Sequence, residues 1–234
     1  MTRRRILSVF AILAAIILFL PLRLAGALIG FDNLGLTARS AGGTVWSGQL
    51  DQARLGPVDL GTLDVGLKPL PLLLGRASLD VERAAAEGTQ ALSGTVSVGI
   101  GRRAIDGLTG TVGGSTIGGL PIESIAFDNA TVVFADGRCV EASGRATVTV
   151  GLSIAGLQLR NGMTGGLNCE GRDLVTTLTG QSGLERLRLT IDADGSYVAR
   201  LMVQSTDPFL GAALTAAGFG PTDQGYVRTS RGRL

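Results

Sequence analysis

An uncharged apolar run near the N-terminus, from Ile6 to Leu22, constrains this chain more than any other feature. Arginines precede the run, and an arginine cluster at one end of an apolar segment is retained on the cytoplasmic side of a membrane. As a helix the run spans roughly 25 Å, and residues 24–29 can lengthen it towards the ~30 Å hydrocarbon core. The predicted parts are a cytoplasmic leader at residues 1–5 with Arg3, Arg4 and Arg5, a single transmembrane anchor at residues 6–29, and an exported, periplasmic domain at residues 30–234.

A cleaved signal peptide is the competing interpretation of the same residues. Ala25-Gly26-Ala27 resembles a signal-peptidase site. However, the apolar core of a signal peptide covers about 7 to 15 residues, whereas this run is longer and is followed by Arg23. The sequence favours the anchor over the signal peptide, and both interpretations export the domain that follows. A buried core helix is the third and least favoured interpretation, and it alone would not export the domain.

The composition argues against most catalytic and nucleic-acid-binding sites. Histidine is absent, which removes the commonest general base, the commonest metal ligand and the usual base of a serine or cysteine nucleophile. The net charge is +2 and aromatic residues make up 4% of the chain, so neither a basic patch nor a base-stacking platform is expected. We therefore expect no enzymatic activity, cofactor, metal, nucleic acid or small-molecule substrate.

Apolar side chains recur at every second position in the exported part, which is the period of β-strands with one buried face. The predicted buried positions are Leu63, Val65 and Leu67; Ala77, Leu79 and Val81; Val96, Val98 and Ile100; Ile125 and Phe127; Ala146, Val148, Val150, Leu152 and Ile154; and Leu187, Leu189 and Ile191. Asp136-Gly137, Asn161-Gly162 and Asp194-Gly195 can supply the positive φ that two-residue hairpin turns require. The sequence predicts an all-β domain, an antiparallel meander that forms a curved sheet of the half-barrel or sandwich kind.

One short helix is predicted near the C-terminus. Asp207 can act as its N-cap, Pro208 suits the first helical position and Gly218 suits the position after the helix. The residues expected on its apolar face are Phe209, Leu210, Ala213, Leu214 and Ala217. The helix should lie across the sheet, and the segment 225–229 should form a last strand before a basic tail.

Several motifs resemble binding or catalytic sequences but lack essential residues. Gly99-Ile100-Gly101 has no third glycine for a dinucleotide loop, and the run at residues 110–119 lacks the Lys-Ser/Thr pair of a phosphate loop. Asp192-Ala193-Asp194-Gly195 begins like a calcium loop without the later ligands, which favours a hairpin turn. The carboxylates of Asp51, Asp59, Asp64 and Glu82 have no defined spacing for glycoside chemistry and are interpreted as solvated strand residues.

The chain contains two cysteines, Cys139 and Cys169, both outside the membrane segment. In an oxidising compartment an isolated pair of this kind is expected to form a disulfide, because a metal site would need further ligands that this chain cannot readily supply. A closed loop of about thirty residues would stabilise the domain by about 3 to 4 kcal/mol.

The only tryptophan lies in the segment Ala41–Leu50, interpreted as a glycine-flanked first strand with a tryptophan in the core. Further motifs follow in order: Lys68-Pro69-Leu70-Pro71-Leu72-Leu73-Leu74-Gly75-Arg76 between two apolar strands; Asp136-Gly137-Arg138-Cys139 with Ala142 and Gly144; the Asp-Pro helix; and Gly225, Tyr226, Gly232 and Leu234. With Gly43, Thr44, Trp46 and Gly48 as its first motif, this arrangement resembles protein N of the bacterial type II secretion system over nearly the whole chain.

The resemblance implies an inner-membrane protein of a Gram-negative bacterium, with a single span and a periplasmic β-rich domain. It further implies an accessory part of the machine that exports folded proteins across the outer membrane, acting through contacts with other subunits and without catalytic residues. The alternative is an AsmA-like anchored protein for lipid transfer or outer-membrane assembly. An apolar face left open would favour that alternative, whereas a face covered by the helix or by partner chains would favour secretion.

Overall fold

The described part of the chain forms one antiparallel β-sheet. The structure is a computed structural model, and it describes residues 19–24, 36–56, 58–85, 90–117, 120–151 and 161–233. The sheet contains 15 strands, and its first and last strands are not paired with each other. The predicted all-β meander is therefore confirmed, and the sheet is open.

The strands follow one another across the sheet almost in chain order. They are β1 (Leu36–Thr37), β2 (Ser40–Gly43), β3 (Gly48–Leu55), β4 (Val58–Leu67), β5 (Ala77–Arg83), β6 (Leu92–Gly99), β7 (Arg102–Ile117), β8 (Leu120–Ala135), β9 (Arg138–Val150), β10 (Met163–Glu170), β11 (Asp173–Gly180), β12 (Glu185–Ile191), β13 (Ser196–Val203), β14 (Gly220–Thr222) and β15 (Gly225–Arg233). Two helices, α1 (Pro69–Leu72) and α2 (Pro208–Ala216), interrupt this order. β1 and β2 both pair with β3, and β15 lies between β13 and β14.

Because neighbouring strands are antiparallel, the connections alternate between two ends of the sheet. We call one the proximal end, which carries the connections at residues 44–47, 68–76, 100–101, 136–137, 171–172 and 192–195. The distal end carries the connection at residues 181–184 and the longer one at residues 204–219, which contains α2.

The apolar face of the sheet holds two clusters of buried side chains. One lies on the first strands and includes Leu22, Leu50 and Leu63, and the other extends from β8 to α2. Leu108, Ile125 and Phe127 pack against both clusters, which makes the apolar face continuous. The largest fully buried side chains are Met163, Leu178, Leu201 and Leu214 with Val133, Val150 and Val203.

The predicted alternation is correct where the apolar face is covered and fails near the proximal end. Leu63 and Val65 are buried, as predicted. In contrast, Val96 and Val98 are about 40% exposed (37% and 45%), Ile100 is fully exposed, and the polar Ser78 is buried. Ile100 belongs to a turn rather than to a strand, so the sheet offers it no buried face.

Helix α2 confirms the predicted caps. The Asp207 carboxylate accepts a hydrogen bond from the Phe209 amide, and Gly218 follows the helix with φ +86°. Leu214 is fully buried against the sheet. Phe209 was wrongly placed on the apolar face: it is 88% exposed, because it lies on the first turn and points away from the sheet that Leu214 contacts.

Three connections differ from the prediction. β9 ends at Val150 and β10 begins at Met163, so Asn161-Gly162 ends a longer connection instead of forming a two-residue turn. The glycine-rich residues 110–117 belong to the long strand β7. The basic residues expected in a tail lie within β15, which continues to Arg233.

Most of the predicted anchor lies outside the described residues. Arg3, Arg4 and Arg5, the Ala25-Gly26-Ala27 motif, and the predicted strand residues Leu152 and Ile154 also lie outside them, as does Leu234. No helix within the described ranges has the length and apolar character needed to cross a membrane.

Candidate functional site

The segment 20–23 contacts the proximal end of the sheet through the tryptophan-containing motif. Val45 donates its amide hydrogen to the Leu20 carbonyl at 3.1 Å and accepts a hydrogen bond from the Leu67 amide at 2.9 Å. One residue therefore connects the N-terminal segment on one side with the end of β4 on the other.

The motif itself is a turn, not the predicted strand with a core tryptophan. The Thr44 amide donates to the Ser47 carbonyl at 3.1 Å, which closes a four-residue turn between β2 and β3. Val45 is buried, and Trp46 is only half-buried. The sequence suggested a buried strand here because Val45 and Trp46 are adjacent apolar residues.

The two flanking glycines of the motif are required by close contacts. Gly43 has φ +78°, and a Cβ atom there would lie 2.6 Å from the Ser47 carbonyl oxygen. A Cβ atom on Gly48 would lie 2.7 Å from Leu22 Cδ2 and 2.8 Å from the Thr44 carbonyl oxygen. Any larger residue at either position would push the turn or the N-terminal segment away from the sheet.

The N-terminal segment is integrated into the domain. Leu22 is 3% exposed and belongs to the apolar cluster of the first strands. Pro21 forms a β-bridge with Thr44, and Arg23 Nε donates to the Ala41 carbonyl at 2.7 Å. Residues 20–23 thus lie against the sheet.

The connection from Lys68 to Arg76 exposes a group of leucines that the sequence pattern did not distinguish from core residues. The α1 turn buries none of its residues, and Leu70, Leu73 and Leu74 are exposed. The neighbouring turn adds Ile100, because Gly99 approaches the Arg76 side chain. We call Leu70, Leu73, Leu74 and Ile100 the leucine tip.

A polar network supports the base of the leucine tip. Lys68 Nζ lies 2.8 Å from the Asp80 carboxylate, and Thr95 Oγ1 donates to the same carboxylate at 2.6 Å. The hydrogen bonds from Lys68 and Thr95 lower the pKa of Asp80. The network joins the β4–β5 connection to β5 and β6.

The structure joins Cys139 and Cys169 by a disulfide, with Cα atoms 5.5 Å apart. The ladder between β9 and β10 extends only from Met163 to Gly166, so the disulfide connects these strands beyond the last paired residue. The Cys139 amide also donates to the Arg172 carbonyl at 2.7 Å. The disulfide therefore stabilises the proximal end.

A buried arginine that the sequence pattern did not indicate connects β4, β7 and the residue Gln90 before β6. Arg83 is 9% exposed and donates hydrogen bonds to the carbonyls of Leu60, Gln90 and Thr111. Burial lowers the pKa of Arg83, and the Asp59 carboxylate opposes that shift. Arg83 thereby bridges β4 and β7, which are not neighbours in the sheet.

The candidate catalytic carboxylates lie on exposed or half-exposed positions without a shared pocket in the described residues. Asp51 accepts a hydrogen bond from Ser40, Asp64 from Gln49, and Asp59 forms an exposed ion pair with Arg54. Glu82 lies opposite Asp64 on the exposed face. Hydrogen bonds from the Ser196 side chain and from its amide lower the pKa of Asp194, and the amide bond stabilises the predicted turn.

No group of acidic residues and cysteines that could hold a metal ion occurs within the described ranges.

The C-terminal motif explains the packing of β15. A Cβ atom on Gly211 would collide with the Tyr226 hydroxyl at 2.1 Å, so Tyr226 packs directly beneath α2. Arg228 Nη1 donates to the Ala217 carbonyl at the end of α2, where a cation is favourable. A Cβ atom on Gly232 would lie 2.5 Å from the Tyr197 hydroxyl.

The outer side of β15 is only partly covered. β14 pairs with residues 225–227. Within the described part of the chain, no strand pairs with the outer side of residues 231–233. An outer strand of this kind offers backbone N–H and C=O groups to an added strand.

Comparison with known proteins identifies the family. The family model for type II secretion system protein N matches residues 34–230, which include the tryptophan motif, both cysteines and most of β15. No curated protein and no solved structure matches the chain. The resemblance predicted from the motifs is therefore confirmed, and the chain belongs to the type II secretion system protein N family.

Proposed function

We propose that this protein is an accessory subunit of the type II secretion system, held in the inner membrane by the apolar run that precedes residue 20, with its β-sheet in the periplasm. It acts by binding other subunits and not by catalysis. The observation that carries the proposal is membership of this family, together with a nine-residue outer strand, β15, that β14 pairs only at residues 225–227.

Retention of the N-terminal segment is supported by its contacts with the sheet. Cleavage after Ala27 would remove Leu22 from the apolar cluster and Pro21 from its bridge with Thr44. Uncleaved, the apolar run before residue 20 remains attached to the domain and available as an anchor. We therefore expect the mature protein to retain Met1 or Thr2.

Partner binding at β15 is supported by the difference between the two outer sides of the sheet. β1 and β2 are two and four residues long, and short outer strands are poor templates for pairing. β15 has nine residues, and β14 pairs with only the first three of them. Arg231 is exposed there and can meet an acidic partner.

Site-specific photo-crosslinking in cells that produce the whole secretion system tests this assignment. A photoreactive residue at Arg231 should crosslink to another subunit. The same residue at Arg186, an exposed arginine on the interior strand β12, is the matched control and should not crosslink. Equal crosslinking at both positions, or none at Arg231, would contradict binding at β15.

Lipid transfer remains the second candidate, because part of the apolar face is open. Helix α2 and Phe219 cover the second cluster, but Val96, Val98 and Ile105 are each more than a third exposed. Mass spectrometry of the protein extracted in mild detergent distinguishes the two. Stoichiometric phospholipid that is lost on Val98→Asp substitution would favour lipid transfer.

A further inference from the structure

The leucine tip has no covering element in the described chain, and we propose that it inserts into the periplasmic leaflet of the membrane in which the apolar run before residue 20 is anchored. The proposal builds on the anchored topology proposed above. The occupant of the apolar surface is therefore the phospholipid bilayer.

The exposure of the leucine tip is unusual for a folded domain. Leu70 is 75% exposed, Leu73 83%, Leu74 82% and Ile100 101%. Exposed leucines scattered over a surface need no explanation, but a group of large apolar residues at adjacent connections marks a binding surface. Because this group protrudes from the end of the sheet, it fits a flat apolar layer better than a second folded core.

The position of the tip relative to the N-terminal segment selects the membrane. The Val45 amide binds the Leu20 carbonyl, and the Val45 carbonyl binds the Leu67 amide immediately before the tip. The point where the N-terminal segment reaches the sheet and the leucine tip are therefore separated by one turn. If the bilayer surface lies at residue 19, the leucine tip is therefore close enough to contact the same surface.

The length of the anchor brings this end of the sheet close to the bilayer. Because Leu22 is packed in the domain, the span predicted at residues 6–29 is reduced to the apolar residues from Ile6 to about Phe19. As a helix they extend about 21 Å, less than the ~30 Å hydrocarbon core. A short span draws its flanking residues into the interface.

The charges around the tip match a phospholipid surface. Arg76 and Arg103 are exposed beside it, and Arg102 is half-buried in the same turn region. The exposed Asp136 against Gly101 offsets one of these charges. Lys68 is paired with Asp80 and adds little net charge. Cations beside inserted apolar residues attract anionic lipid headgroups.

Fluorescence of the full-length protein in vesicles tests the proposal. Cys139 and Cys169 are bonded to each other, so a Leu73→Cys variant has one free thiol for an environment-sensitive dye. Leu184→Cys, an exposed leucine at the distal end, is the matched control. The vesicles contain phosphatidylethanolamine and phosphatidylglycerol, with or without brominated acyl chains, and flotation reports anchoring independently.

We expect the dye at residue 73 to shift its emission to the blue and to be quenched by brominated lipid, with neither effect at residue 184. A floating protein whose residue-73 dye is neither shifted nor quenched would overturn the insertion and leave the anchor standing. A protein that does not float would overturn both. Shielding of residue 73 only after other secretion subunits are added would assign the tip to a protein partner and overturn the lipid assignment.

Discussion

Single glycines determine how closely the N-terminal segment approaches the sheet. Neighbouring glycines of one motif differ sharply in their surroundings: a Cβ atom on Gly42 meets nothing within 4 Å, whereas one on Gly48 meets Leu22 and two carbonyl oxygens below 3 Å. Glycine at residue 48 is therefore a packing requirement. Glycine at residue 42 is not.

The first prediction compares these two glycines. Gly48→Ala should lower the free energy of unfolding by about 1 to 3 kcal/mol, because the methyl group forces Leu22 or the turn to move. Gly42→Ala should change it by less than about 0.5 kcal/mol, because a Cβ atom there meets nothing within 4 Å. Denaturant unfolding of the two variants provides the measurement. Equal losses would contradict the packing of Leu22 on Gly48.

The second prediction concerns the ionised Asp80 carboxylate at the base of the leucine tip. Its pKa is lowered in the folded protein, so its contribution is complete above the unfolded pKa of about 3.9 and disappears as the pH falls through the lower folded value. Asp80→Asn should cost less than about 1 kcal/mol at pH 7, since both partners are over 40% exposed. The difference between wild type and variant should be constant from pH 7 to 5, begin to fall near pH 4 and disappear only as the pH passes below the folded pKa. A difference that changes between pH 7 and 5 would argue against this pair as its source.

At the scale of elements, the disulfide replaces the missing part of the β9–β10 ladder. Only residues 163–166 pair with β9, although β10 extends to Glu170. Without the bond, the proximal half of β10 would be held to β9 by the Cys139 amide hydrogen bond to Arg172.

The third prediction follows from that geometry. Replacing Cys139 and Cys169 by serine should lower stability by about 3 to 4 kcal/mol in the chain-entropy account of a loop closed across 30 residues. The β-sheet circular dichroism should remain, because β9 and β10 each keep another partner strand. Alkylation of the native periplasmic protein should detect no free thiol, and two free thiols would refute the bond.

Elements whose one face is buried were predictable, and those shaped by close backbone approach were not. The alternation at Ala146, Val148 and Val150 follows from burial and identified β9. β7 was missed because glycines replace its apolar positions: a Cβ atom on Gly110 would lie 2.1 Å from the Ala91 carbonyl oxygen. Composition cannot reveal such a contact before the neighbouring strand is known.

The candidate site shows the same division. Both cysteines and the α2 cap could be predicted from residue type alone. The leucine tip could not be predicted in this way, because Leu73 and Leu63 are of the same residue type but are 83% and 3% exposed. Whether a leucine is buried depends on which strands fold over it, and that is a property of the whole sheet.

At the scale of the whole molecule, the two outer sides and the two ends of the sheet have different properties. The proximal end carries the N-terminal segment and the leucine tip, and the uncovered side of β15 lies at the opposite margin from β1. A sheet oriented by its proximal end on the membrane would present β15 laterally to other subunits. We therefore expect loss of the proposed anchor to impair function even when the domain is intact.

The measurement that tests this account most directly is the amount of a type II substrate in the medium of cells lacking the chromosomal copy of this gene. We predict that the full chain restores secretion, and that residues 20–234 behind an unrelated single-pass inner-membrane anchor do so too. The same residues exported behind a cleavable signal peptide should fold, reach a normal level in the periplasm and fail to restore it. Equal restoration by the soluble form, or unchanged secretion without the gene, would contradict the account.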